Sequence, residues 1–272
     1  MQIDWRWKSL VRWLINLKIF PPCAVVKELQ IPIVLINLDR SVDRLAAIEE
    51  SAAQFGLSIS RIPAVDGRIL TEEQRKIIDL RRFHAFNGRH VMPSEIGCYL
   101  SHIKAWHVIA NGAAPFGVVL EDDVRFTEDF KPVIMALAEA DGWGIVKLVN
   151  HRARGFIRAQ RLSNGYALGR CLHGPLGSSA AYAISRQAAG RLLETISDMV
   201  VPVDVELERG WAHGAKFYTL DRPVVRLSGA KSTVTADVGS YRTTKFPFYR
   251  RWRTLIYRAV NYAQRVIYAA SR

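Results

Sequence analysis

Cys23, Cys98 and Cys171 are three cysteines in 272 residues, too few and too widely spaced for a disulfide framework. Without a C-x-x-C spacing they offer no zinc site, and they read as reduced, mostly buried thiols of a cytosolic protein. No apolar run reaches 18 residues, and Arg12 and Lys18 interrupt the apolar N-terminal stretch, so neither a membrane-spanning helix nor a signal-peptide layout is expected. G-x-G-x-x-G after a strand and G-x-x-x-x-G-K-[ST] are both missing, which removes the main support for classical dinucleotide and P-loop readings. No internal repeat is found. Acids are absent from one whole segment: Tyr241 to Arg272 carries eight Lys/Arg and no Asp or Glu. Eight of the thirteen net positive charges therefore sit in the tail, and the body is only mildly basic. Such a tail calls for an anionic partner surface, nucleic acid or membrane.

What is present suits a globular enzyme: 49% hydrophobic and 23% charged residues, in a length that fits one large α/β domain or two small ones. Residues 33–37 read as a core strand. Ser41 is a candidate N-cap, and Val42, Leu45, Ile48, Ala52 and Phe55 recur at helical spacing until Gly56 stops the helix. With a strand over 58–62 this makes a βαβ unit. Ligands bind at the carboxyl ends of strands in open α/β sheets, which places Asn37, Asp39, Arg40 and Arg44 at a site rim. Arg44 either reaches a phosphate or pairs on the surface with Asp39 or Glu49.

Thr71 and Gln74 form a capping box for a helix to about Arg82, followed by an irregular loop over 83–92. Pro93 opens a helix on which Ser101, His102 and Lys104 lie within one turn, a satisfied core histidine being the commoner explanation of His102. Gly117, Val118, Val119 and Leu120 then form an apolar run that ends in Glu121, Asp122 and Asp123. Three acids at a buried strand end repel one another unless a divalent cation offsets them, so this is either a Mg²⁺ or Mn²⁺ site or a solvated acidic turn.

Further on, a helix over 127–140 is capped by Thr127, a strand follows at 144–150, and Ser163-Asn164-Gly165 joins a hairpin. A strand at 180–184 leads into a helix capped by Ser185, and Pro202 opens a short helix bearing Asp204 and Glu206, where carboxylates also serve as simple caps. Residues 216–220 close the sheet. The Gly/Ser/Thr-rich stretch 228–245 reads as a mobile loop, and 248–270 as a basic amphipathic helix. Residues 5–20 mix aromatic and aliphatic residues with four cations, as in a helix lying in a bilayer interface or packed on the domain.

Five motifs in order, Ile36-Asn37-Leu38-Asp39-Arg40-Ser41-Val42-Asp43-Arg44, Ala64-Val65-Asp66-Gly67, Glu95-Ile96-Gly97-Cys98-Tyr99-Leu100-Ser101-His102, Leu120-Glu121-Asp122-Asp123-Val124 and Pro202-Val203-Asp204, resemble glycosyltransferase family 25. That family includes bacterial lipooligosaccharide galactosyltransferases and collagen galactosyltransferases. The resemblance covers roughly residues 33–228. It implies a GT-A-like α/β fold with a mostly parallel central sheet flanked by helices, and a UDP-sugar donor, most often UDP-galactose.

It also implies a divalent metal, Mn²⁺ or Mg²⁺, at a D-x-D-like motif that here begins with Glu121. Asp123 is then the metal ligand, with Glu121 or Asp122 on the ribose or a metal-bound water. Asn37, Asp39, Arg40, Arg44, Ser101, His102 and Lys104 complete the expected donor site. Asp204 is the first candidate for general base in an inverting displacement, with Glu206 in reserve. The acceptor is expected to be a lipid-linked oligosaccharide of lipopolysaccharide assembly, met at the cytoplasmic face of the inner membrane. Three parts are expected: a basic aromatic helix over 1–30, a catalytic domain over 31–228, and a loop plus amphipathic helix over 229–272. The competing readings are a transferase of UDP-glucose or another UDP-sugar to a different glycan or protein acceptor, then a two-carboxylate glycoside hydrolase or a membrane- or nucleic-acid-binding module. The aliphatic residues of the tail speak for membrane and against nucleic acid.

Overall fold

The computed structural model describes residues 31–149, 152–229 and 243–271. The helix expected over 5–20 and most of the loop expected over 228–245 lie outside these. The chain divides into two units, Met1–Gln30 and Ile31–Arg272, and the second is described here. Its first half runs β1 (Ile33–Asn37), α1 (Val42–Gln54), β2 (Ser60–Pro63), α2 (Glu72–Arg75), α3 (Leu80–Asn87), α4 (Pro93–Ala110), β3 (Phe116–Glu121) and β4 (Val124–Phe126). The second half runs α5 (Phe130–Glu139), β5 (Ile145–Lys147), β6 (Arg154–Arg161), β7 (Ala167–His173), β8 (Ala181–Ser185), α6 (Arg186–Thr195), α7 (Val203–Leu207), α8 (Gly210–His213), β9 (Phe217–Leu220), β10 (Val225–Leu227) and α9 (Trp252–Ala270).

Eight strands form one sheet in the order β2-β1-β3-β8-β5-β9-β7-β6. Only β8 and β7 run against the other six, so the sheet is mixed but mostly parallel, the α/β architecture expected. Both faces are covered. Leu35, Val118, Leu120 and Val146 pack with Ile48 of α1 and Val133 and Leu137 of α5, while Val34, Val119, Tyr182 and Phe217 pack with Trp106 of α4 and Leu192 of α6. Strands buried on both sides have no solvent face to alternate with, which is why they read as continuous apolar runs.

Several local expectations are corrected by tertiary contacts. Ser41 stands at the N-cap of α1 without a side-chain cap bond, and its carbonyl instead accepts from Asn37 Nδ2 at 3.1 Å. The Thr71–Gln74 capping box forms, but α2 ends after one turn because the chain leaves to bridge Ile78 to Met199, with Met199 N donating to Ile77 O. The stretch 83–92 is not all loop: α3, capped by Asp79, continues to Asn87 and stops at Gly88 with φ 65°. The helix expected from Thr127 starts at Phe130, since the Thr127 hydroxyl donates to Val224 O at 2.8 Å. Finally, β9 is interior, and the β6–β7 hairpin extends the sheet past it.

Candidate active site

Register builds the site. In the parallel pair β1–β3, Ile36 lies opposite Glu121, so Asn37 stands beside the acids at the carboxyl end of the sheet. Buried Asn37 donates from Nδ2 to Asp122 Oδ2 at 2.8 Å, and its Oδ1 accepts from Arg61 Nε at 2.9 Å. Arg44, one turn into α1, donates to Asp122 Oδ1 at 2.7 Å. The Arg44 pairing with Asp39 or Glu49 is thereby replaced by one inside the site, and Asp122 is a fully engaged carboxylate.

Glu121 is held from the other side. Because β8 is antiparallel to β3, its beginning, not its end, lies at this edge: Glu121 N donates to Ala180 O, and Ser179 Oγ donates to Glu121 Oε1 at 2.5 Å. His102 Nε2 lies 3.3 Å from the same oxygen, and His102 Nδ1 lies 2.9 Å from Tyr182 Oη, which accepts from Trp106 Nε1 at 2.8 Å. One arrangement that satisfies every group has Tyr182 giving its own proton to Nδ1 while Nε2 donates to Glu121. The core-histidine and site readings of His102 therefore hold together. Burial pushes the Glu121 carboxyl up, but the His102 and Ser179 hydrogen bonds and the charge of Arg44 more than offset this and lower it.

Asp123 differs from both neighbours. Its Oδ1 is buried and has no hydrogen-bond partner among the described residues. Burial first, then the charges of Glu121 and Asp122, push its carboxyl up to about 6. A desolvated acid beside two others, with an oxygen left over, fits a hard divalent cation. Cys98, His102 and Glu121 also bring ligand atoms within 4.8 Å of one another. Burial, with the charges of Glu121 and Asp204, drives the Cys98 thiol well above its ordinary range, and His102 and Glu121 are already engaged with each other. Carboxylate oxygen also suits Mg²⁺ or Mn²⁺ better than a thiol does. By ligand chemistry Asp123 with Glu121 suits such an ion better, while among the described residues the converging ligand atoms are those of Cys98, His102 and Glu121.

The cleft above these groups is lined by Arg40, Asp66, Arg68, Cys98, Ser101 and His102 together with Glu121 and Asp122. Asp66 pairs with Arg40 and Arg68; burial works against its ionised form, but these hydrogen bonds and charges hold its carboxyl below the ordinary value. Ser101 Oγ accepts from Val65 N at 2.8 Å and donates to Gly97 O at 2.7 Å, tying α4 to the 64–67 turn. That approach is why the motifs carry glycine: a Cβ on Gly97 would sit 2.5 Å from Val65 O, and one on Gly67 2.3 Å from Pro93 O. The cavity volume is about 70 Å³, against roughly 300–1,000 Å³ for whole-ligand pockets. This part of the cleft is too small to enclose a whole ligand of that size.

Seven predicted residues do not line the cleft: Asn37 and Arg44 hold Asp122, Asp123 and Asp204 stay near it, and Asp39, Lys104 and Glu206 lie elsewhere. Asp39 is exposed and pairs with Arg61, and Lys104 donates to Pro63 O at 2.8 Å on the surface. Glu206 is buried in a separate cavity beside Arg82, Asp198 and Arg209. Asp204 stays near: its charge acts on Cys98, a cleft residue, and its Oδ1 accepts from Val205 N at 2.9 Å. Arg61, Ser179 and Tyr182 were not anticipated. Tyr182 sits mid-strand and is indistinguishable from core in the sequence, and Ser179 depends on the antiparallel run of β8.

The profile of glycosyltransferase family 25 (LPS biosynthesis protein) matches residues 30–207. The chain belongs to glycosyltransferase family 25. A family 25 member from Aedes aegypti is 31% identical over 184 residues, covering 63% of this chain and 29% of that one. Procollagen galactosyltransferase 2 of Homo sapiens is 31% identical over 111 residues, 39% of this chain and 18% of that one. The chain thus spans less than a third of either relative. Relatives named "Probable inactive glycosyltransferase 25 family member 3" also match, so membership by itself does not decide activity. Among solved structures, the glycosyltransferase GlyE of Streptococcus pneumoniae is similar with a TM-score of 0.40 and 9% identity, over 89% of this chain and 65% of that one.

Proposed function

We propose that this family 25 chain transfers a hexose, galactose in first place, from a UDP-sugar to a lipid-linked saccharide acceptor of lipopolysaccharide assembly, with inversion. The observation that carries the reading is the buried, unpartnered Asp123 oxygen beside Glu121 and Asp122 at a strand end. Asp123 and Glu121 would hold Mn²⁺ or Mg²⁺, which when bound offsets negative charge on a departing diphosphate.

The chain's own groups do the rest. Arg44 and Asn37 fix Asp122, and Ser179 and His102 fix Glu121, so neither carboxylate has to reorganise as charge moves. Asp204 takes the proton of the acceptor hydroxyl as that oxygen attacks the anomeric carbon, and the electron pair of the breaking C–O bond leaves with UDP. With Glu206 in another cavity, Asp204 is the carboxylate of its helix that remains for this step. Incubation with a panel of UDP-sugars and Mn²⁺ tests the reading. Slow release of free hexose, fastest from UDP-galactose and abolished by EDTA, is expected. Metal-independent cleavage of an ordinary glycoside with no turnover of any UDP-sugar would favour the hydrolase instead.

A further inference from the structure

Helix α9 is amphipathic in an inverted sense. Three polar side chains face the domain: Thr254 Oγ1 donates to Ala85 O at 2.9 Å, Arg265 Nη2 to Glu208 Oε2 at 3.0 Å, and Tyr268 Oη accepts from Phe217 N at 2.8 Å. Tyr257 stacks on Phe86 with ring centroids 4.0 Å apart. The opposite side presents Trp252, Leu255, Ile256, Val260 and Ile267, each at least 50% exposed, preceded by Phe248 and Tyr249 at more than 70%. A solvated helix places these residues the other way round. An apolar face of this extent is the mark of an interaction surface.

Charge selects what covers it. Neither α3 nor residues 243–271 contain an acid, while Arg81, Arg82, Arg250, Arg253 and Arg258 are all exposed there. Between α3 and α9 runs a groove of about 660 Å³ whose walls alternate guanidinium and apolar groups: Arg81, Arg82 and Arg253 with Phe86, Trp252 and Ile256. A second copy of this surface would bring like charges together. Residues 1–30 carry five Lys/Arg against two acids, so they too are like-charged with it. An anionic bilayer satisfies both parts, with phosphate headgroups among the arginines and acyl chains against the aliphatic and aromatic side chains. No helix of the described residues is long and apolar enough to cross a membrane, as this mode requires.

We infer that the outer face of α9, with the α3–α9 groove, docks the protein on an anionic lipid surface, lying in the interface without spanning it. A lipid-linked acceptor, as proposed above, would be held in the same kind of surface, but the docking face stands independently of sugar transfer. Vesicle flotation of the full chain tests it.

The chain is expected to float with phosphatidylcholine–phosphatidylglycerol vesicles at low salt, to be released by high salt, and to stay below with phosphatidylcholine alone. Replacing a cation, as in Arg253→Ala or Arg81→Ala, should weaken vesicle partitioning about fivefold each. The double variant I256E/V260E, at two exposed positions and with its fold checked by circular dichroism, should abolish flotation while UDP-sugar hydrolysis continues. Flotation unchanged in the double variant would assign binding to another segment and overturn the inference. So would a full chain that never floats, or one whose sedimentation shows a dimer that the double variant dissociates.

Discussion

Arg265→Met should destabilise the protein by an amount that depends on pH in a calculable way. Glu208 is 1% exposed and is held by two cations, Lys147 Nζ at 2.8 Å and Arg265 Nη2 at 3.0 Å. Burial already pushes its carboxyl upward, with Lys147 and Arg265 pulling it back. Removing one partner of a buried ion pair costs about 3–5 kcal/mol when the remaining charge must stay. Glu208 has an escape, because it can take a proton. Burial has already raised this carboxyl above its ordinary value, so protonation holds the loss below that of a stranded ion, and limits it further as pH falls towards 5.

Urea unfolding followed by tryptophan fluorescence should therefore show a loss at pH 7 that stays below the roughly 3–5 kcal/mol of a stranded buried charge and shrinks clearly at pH 5. A loss independent of pH would mean that the defect is packing, and that Glu208 is not the group left stranded. Activity should fall as well. Arg265 also donates to Gly174 O and Lys147 to Gly177 O, so the network fixes the segment that carries Ser179 to Glu121. For that reason the inward side of α9 supports the site through Arg265 while the exposed Ile256 and Val260 do not, and cutting the chain near Arg242 would damage the site together with the surface.

His213 offers a second titration. Ala215 N donates to its Nδ1 at 3.2 Å, and burial lowers its pKa from 6.5 to about 4. The unfolded chain thus binds the proton first, and stability should be full above pH 6.5 and fall by about 3 kcal/mol as pH drops towards 4; His213→Gln melts should lack this portion, and an unchanged pH slope would refute it. Ser179→Ala removes a bond to a charged acceptor and should lower stability by about 1.5–3 kcal/mol while weakening metal-assisted UDP binding, read by thermal melts and calorimetry. Asp204→Asn should reduce turnover with UDP affinity unchanged, because proton removal matters only in the transition state. A parallel fall in UDP affinity would move Asp204 to the donor site.

The sequence made the first half of the fold legible because its strands are apolar runs bounded by turn residues and its helices keep their period. What it hid were partners remote in the chain. Arg44 meets Asp122 across 78 positions and Ser179 meets Glu121 across 58, and neither pairing leaves a local trace. Asp39, Lys104 and Glu206 were plausible by spacing alone, but the first two point to solvent and the third faces a different cavity. For α9 the pattern showed a cationic, apolar helix without saying which side was out. Only Thr254, Arg265 and Tyr268 turned inward make that plain.

The most direct test of the central claim, that Asp123 completes a metal-assisted nucleotide-sugar site, is calorimetric titration of UDP into the wild type and Asp123→Asn, each with Mn²⁺ and with EDTA. In the wild type Mn²⁺ should tighten UDP by about tenfold or more, equivalent to about 1.4 kcal/mol. Asp123→Asn should bind UDP equally weakly under both conditions and hydrolyse UDP-galactose on the order of 10²-fold more slowly. UDP binding by the wild type that ignores Mn²⁺, or a Mn²⁺ effect that survives in Asp123→Asn, would contradict the account.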